Sequence, residues 1–89
     1  MDSTRLKRIS FRAWRRGFRE ADLVLGPFAD SHAQNFAPDD LDRFERLLDQ
    51  NDHDLYAWAI GAEAPPPAFE GPVMEALRAF CRAGRRLPG

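Results

Sequence analysis

The chain has 89 residues, 13 Lys or Arg against 14 Asp or Glu, a formal charge of −1, 44% hydrophobic residues, two histidines and a single cysteine. A chain of this size forms one small domain with a thin core, burying about 60–65% of its unfolded surface, which disfavours a self-contained enzyme with a deep pocket and favours a binding module. Cys81 alone cannot form an internal disulfide, Cys81, His32 and His53 are too few and too scattered for zinc, and no apolar run approaches the roughly 18 residues of a membrane span or the core of a signal peptide.

A first helix is expected from about Ser3 to Arg16. Ser3 or Thr4 caps it, Leu6, Ile9, Ala13 and Trp14 share a face, and Arg5, Arg8, Arg12 and Arg15 lie on the other side. Gly17 is expected to end it as a left-handed glycine past the last turn. A second helix begins near Phe18 and passes through Ala21, Leu25 and Phe28. Pro27 removes an amide donor and presses on the carbonyl of Leu23, so a kink or a stop and restart is expected at Gly26-Pro27. Pro38 opens a third helix, with Asp39, Asp40 and Asp42 near its positive end and Leu41, Phe44, Leu47 and Leu48 as an apolar stripe. Asn51 or Asp52 caps a short fourth helix that buries Leu55 and Trp58 and ends at Gly61. APPP, residues 64 to 67, reads as a stiff linker. A fifth helix starts near Pro72 with Glu70 and Glu75 at its front. Its inward residues are Val73, Met74, Leu77, Phe80 and Cys81, its basic end is Arg82, Arg85 and Arg86, and Gly84 closes it.

Strand signals are weak. The expectation is an all-α fold, a small bundle of about five short helices in a single domain over residues 1–89. Each helix is too short to be stable alone and persists by packing.

Charge is unevenly distributed. Residues 1–20 hold seven Lys or Arg and two acids, whereas residues 21–63 hold ten acids and two arginines. Such a division favours self-complementarity on folding or a polar partner surface. The start RLKRISFRAWRR has the arginines and aromatics of a nucleic-acid contact, but a pI near 6.1 and the dominant acidic block argue against one. Ile9, Phe11 and Trp14 on a basic helix would suit a membrane interface, but that apolar face is narrow. The opening residues resemble a transit peptide in charge, yet they run straight into RRGFRE and read as part of the domain.

RRGFRE, residues 15–20, is the unusual stretch: a glycine amid charge in what otherwise looks like a helix. Arg16 and Glu20 are four apart and would pair in one continuous helix. If Gly17 breaks the helix, they sit at a junction and are displayed to a partner. Glu20 and Asp22 point to different helix faces, so they are poor candidates for an acid–base pair. His32 and His53 read as surface or capping residues. NDHDLYAW reads as a cap followed by a helix front.

Arg16-Gly17-Phe18-Arg19-Glu20 resembles the RGxxE signature of the succinate dehydrogenase flavinylation and assembly factors, the flavinators. Asp22 falls at the family's E-x-D position and Pro27-Phe28 at its Pro-Phe. Phe44, Leu47 and Leu48 resemble its F-x-x-L-L stretch, and Asp52, Asp54, Leu55 and Trp58 its D-x-D-L-x-x-W stretch. The resemblance covers about residues 5 to 60; Gly26 and the proline-rich linker depart from it. It implies a five-helix assembly factor that is not itself an enzyme. Such a factor binds the flavoprotein subunit of succinate dehydrogenase, and in bacteria that of fumarate reductase. It promotes covalent attachment of FAD to a histidine of that subunit. The chemistry is implied to be largely the client's own, with its histidine attacking an electrophilic methyl group of the flavin.

On this resemblance Arg15, Arg16, Gly17, Phe18, Arg19, Glu20 and Asp22 form the partner-binding patch. No catalytic, metal or stable cofactor site is expected, nor nucleic-acid binding or membrane insertion. The free protein is expected to be a monomer in a bacterial cytoplasm, or in the mitochondrial matrix for a processed eukaryotic form. As displayed residues, Arg16 and Glu20 would each cost within about 0.5 kcal/mol of stability on replacement by alanine. An antitoxin-like regulatory partner, a nucleic-acid module and a very small enzyme are the competing classes.

Overall fold

The structure, a computed structural model, describes residues 3–84. Among them are five α-helices and no strand: α1 Ser3–Ala13, α2 Arg19–His32, α3 Pro38–Leu48, α4 Asp52–Ala59 and α5 Pro72–Gly84, with 3-10 turns at Ala33–Asn35 and Pro67–Phe69. Arg85 and Arg86, expected at the basic end of α5, lie outside the described residues.

The apolar spacing of each helix produces its buried face. Ile9 and Ala13 of α1, Leu25 and Phe28 of α2, Leu41, Phe44, Leu47 and Leu48 of α3, Leu55 and Trp58 of α4, and Val73, Met74, Leu77 and Cys81 of α5 are all buried in one cluster. Phe28 is its hub. The ring meets Phe44 edge-on at 5.4 Å and Phe80 at 5.6 Å, and stacks on His32 at 4.7 Å. The hub position makes α2 the central helix, in contact with α1, α4 and α5.

Two helix ends follow the expected local chemistry. The Asn51 side chain accepts hydrogen bonds from the backbone N–H of His53 (2.9 Å) and Asp54 (3.2 Å), capping α4. Gly61, at φ +81, closes α4 in a Schellman arrangement, with Gly61 N–H bonded to Trp58 O and Ala62 N–H to Ala57 O.

Three expectations are corrected. First, α1 ends at Ala13 rather than Arg16, and Gly17 is not among the positive-φ glycines. Second, the stop and restart weighed at Gly26-Pro27 does not occur: α2 is continuous through Pro27. The carbonyl that loses its amide partner belongs to Leu23, and Ser31 Oγ donates to Pro27 O at 2.9 Å. Gly26 is a seat for the Trp14 ring. An added Cβ there would lie 2.2–2.7 Å from three atoms of the Trp14 ring. Trp14 Nε1 donates to Asp30 Oδ2 at 2.9 Å, and Ser10 Oγ donates to the other oxygen of that carboxylate at 2.6 Å, so α1 and α2 are locked at this crossing. Third, the proline stretch packs rather than merely spanning a gap: Pro65 is buried, and Phe69 stacks on Trp58 at 5.5 Å.

The uneven charge is resolved within the fold. Arg5 contacts Asp42 (2.5 Å) and Glu45 (2.7 Å), Arg12 pairs with Asp49, and Arg16 pairs with Asp52 (2.7 Å). The hydrogen bonds that Arg5 donates to Glu45 and then to Asp42 raise its pKa. The partners advance in the same direction along both segments, which places α1 and α3 side by side in parallel. The half-exposed pairs set alignment more than stability. They also occupy three arginines that a phosphate backbone would need.

Candidate functional site

Residues 14–18 leave the end of α1 and cross the junction between α3 and α4 before α2 begins. At the end of α3 the amides of Asp49 and Gln50 satisfy the carbonyls of Glu45, Arg46 and Leu47, which leaves the carbonyls of Leu48 and Gln50 for Arg16 to serve. Its Nη1 donates to Leu48 O at 2.6 Å and its Nη2 to Gln50 O at 2.9 Å. The same Nη2 lies 2.7 Å from Asp52 Oδ1 in the first turn of α4. The guanidinium thus bridges the negative end of one helix and an acid at the start of the next. The Arg16 side chain is only 7% exposed. Its Nε is buried without a hydrogen-bond partner among the described residues.

This corrects the expectation that Arg16 is displayed with Glu20. The two are not paired: Arg16 turns inward to Asp52, while Glu20 is exposed in the first turn of α2. The backbone N–H of Arg16 donates to Asp22 Oδ1 at 2.5 Å, so Asp22 ties the crossing segment to α2. Phe18, extended at the start of α2, stacks on His53 at 4.6 Å and meets Tyr56 edge-on at 5.2 Å.

Gly17 is favoured by close approach to Asp52, not by its φ. An ideal Cβ would stand 2.3 Å from Asp52 Oδ2, the oxygen beside the one that Arg16 holds. Gly17→Ala is therefore expected to push Asp52 off Arg16 and cost about 1–2 kcal/mol, read as a lower urea midpoint. In an Asp52→Ala background the added methyl should cost at least about 0.5 kcal/mol less, because contacting residues couple. Equal costs in both backgrounds would remove Asp52 from the explanation.

The seven candidate residues therefore divide. Arg16, Phe18 and Asp22 anchor the crossing segment, and Gly17 supplies the clearance that lets it close on α4. Arg15, Arg19 and Glu20 face outward; the Arg15 guanidinium sits 4.2 Å from the Phe11 ring centroid. Reading the sequence missed Asp52, His53 and Tyr56 as the other half of the site. The signal was in the D-x-D-L-x-x-W stretch, but nothing local connects residue 16 to residue 52. Beside Glu20, an open apolar groove of about 280 Å³ runs between α2, α4 and α5. No cluster of His, Cys, Asp and Glu suited to a metal occurs among the described residues, and no helix there is long and apolar enough to cross a membrane.

Comparison with known proteins gives the arrangement a family. Residues 7–81 match the family model described as flavinator of succinate dehydrogenase. Similar proteins include a mitochondrial succinate dehydrogenase assembly factor 2 of Drosophila grimshawi, 34% identical over 76 residues, covering 83% of this chain and 52% of that protein. The mitochondrial assembly factor 2 of Cryptococcus neoformans is 31% identical over 78 residues, covering 86% of this chain and 45% of that protein. The chain thus spans about half the length of the curated relatives it matches. Its sequence over nearly all of the bundle, including the crossing segment and the helices that hold it, places the chain in the family of flavinators of succinate dehydrogenase.

Proposed function

We propose that this chain is an assembly factor that binds the flavoprotein subunit of succinate dehydrogenase and promotes covalent attachment of FAD to a histidine of that subunit. The observation that carries this reading is the family match across residues 7–81. The exposure of Arg15 next to the braced crossing and of Arg19 and Glu20 in the first turn of α2 supports a docking role. The flavin and the reacting histidine both belong to the client, and this chain contributes no catalytic group. Its part is to hold the client's domains so that histidine and flavin stay in near-attack geometry, biasing an existing equilibrium toward that state. The flavoprotein of fumarate reductase is a second client of the same chemistry. The factor acts as a monomer in a bacterial cytoplasm or, in a processed eukaryotic form, the mitochondrial matrix.

The test uses purified apo flavoprotein subunit with free FAD, followed by in-gel flavin fluorescence after denaturation. The natural chain should accelerate covalent labelling. Glu20→Ala should slow it about tenfold, equivalent to about 1.4 kcal/mol of lost docking free energy, while leaving the thermal midpoint nearly unchanged. Equal labelling with the natural chain, with folded Glu20→Ala and with no factor would refute the reading for this client. Running the fumarate reductase flavoprotein in parallel tests the second client.

A further inference from the structure

The groove beside Glu20 has a distinctive pattern of lining and charge. Leu23 and Val24 of α2, Tyr56 and Ile60 of α4, and Phe80 of α5 form its walls, with Glu20 at one end. It continues past Ile60 and Cys81 into a second hollow of about 260 Å³ that ends at Arg78 and Arg82. Leu23 is 53% exposed, so an aliphatic side chain lies open to water in the middle of this surface. Arg78 is engaged, with Nε donating to Trp58 O at 3.1 Å. Glu20 and Arg82 are exposed and make no ion pair among the described residues. Each suits the dipole of its own helix end, but that leaves Leu23 uncovered. The channel is therefore apolar along its length, acidic at one end and basic at the other.

Resting on the function proposed above, we infer that this groove receives a segment of the client flavoprotein in which an apolar side chain lies between a basic and an acidic residue. The apolar residue covers Leu23 and Ile60, the basic one meets Glu20, and the acidic one meets Arg82. Charge at both ends fixes the direction of the segment, and the apolar middle supplies the affinity. Phe18 packs on Tyr56, so the braced crossing segment also shapes one wall of the groove.

The test combines affinity with mapping, using purified apo flavoprotein subunit of succinate dehydrogenase as the probe. Leu23→Ser and Glu20→Lys are each expected to weaken binding about tenfold, Arg82→Glu about threefold, and Lys7→Glu on α1 less than twofold. A photo-crosslinking residue at position 23 should label one client segment of the stated charge order. Reversing that segment's basic residue to Glu should restore binding to Glu20→Lys. Restored binding is a readout that a merely structural role of Glu20 would not move. If Leu23→Ser binds and flavinylates like the natural chain, or the labelled segment lacks that pattern, the groove proposal falls while the assembly-factor reading stands. If the natural chain neither binds nor accelerates labelling, both fall. A concentration-dependent dimer abolished by Leu23→Ser would assign the groove to a second copy and overturn the proposal.

Discussion

Arg16→Ala is expected to destabilise the protein by about 2–3 kcal/mol and to lower its thermal midpoint by roughly 10–20 °C. Removing the guanidinium strands the carbonyls of Leu48 and Gln50 at the end of α3 and leaves the Asp52 carboxylate without its partner. Deleting one member of a fully buried ion pair costs about 3–5 kcal/mol. Asp52 is 32% exposed, which lets water recover part of that and places the estimate below the full range. Arg16→Lys should recover only a fraction, since a single ammonium cannot span two carbonyls and a carboxylate as the planar fork does. Thermal and urea unfolding of Ala, Lys and natural forms measure this directly. A variant with an unchanged midpoint would return Arg16 to the displayed surface. The contrast with Glu20→Ala matters for function: Arg16→Ala should lose flavinylation in proportion to lost fold and regain it on cooling, whereas Glu20→Ala should lose it while folded.

Gly26→Ala is expected to destabilise by about 1–3 kcal/mol, although alanine in place of an interior helical glycine is ordinarily favourable by up to about 1 kcal/mol. The sign reverses because the methyl would stand 2.2, 2.4 and 2.7 Å from three atoms of the Trp14 ring. A fused aromatic ring cannot give at one atom; it must lift as a body. That motion breaks the Trp14–Asp30 hydrogen bond and loosens the crossing of α1 on α2. Tryptophan fluorescence should shift to the red as the midpoint falls, with Trp58 remaining as a buried background. In a Trp14→Ala background the same change should be neutral or stabilising, because helix propensity is then the remaining contribution. A Gly26→Ala protein more stable than the natural chain would show that the indole has another equally good seat.

What was readable from residue order was local. The buried stripes of α3 and α5 repeat at helical spacing, Asn51 caps the residues just after it, and Gly61 closes the turn just before it. Each depends on partners within a few positions, so the number of helices, their inward faces and the all-α class follow from local residue order. The helix ends near Gly17 were not, because the chain leaves α1 early to reach acceptors 32 to 36 positions away. Nor was the role of either glycine. Gly17 answers to Asp52 and Gly26 to Trp14, contacts that no periodicity encodes. Pro27 lowered the expectation of a continuous α2, yet packing of Leu25, Phe28 and Ala29 on the core holds the helix across one missing hydrogen bond. The candidate stretch was visible as an anomaly of charge around a glycine. Its division into inward anchors and outward-facing residues came from the tertiary structure: a long side chain pairs with whatever the fold brings to its tip, and chain crossing, not spacing, determines that.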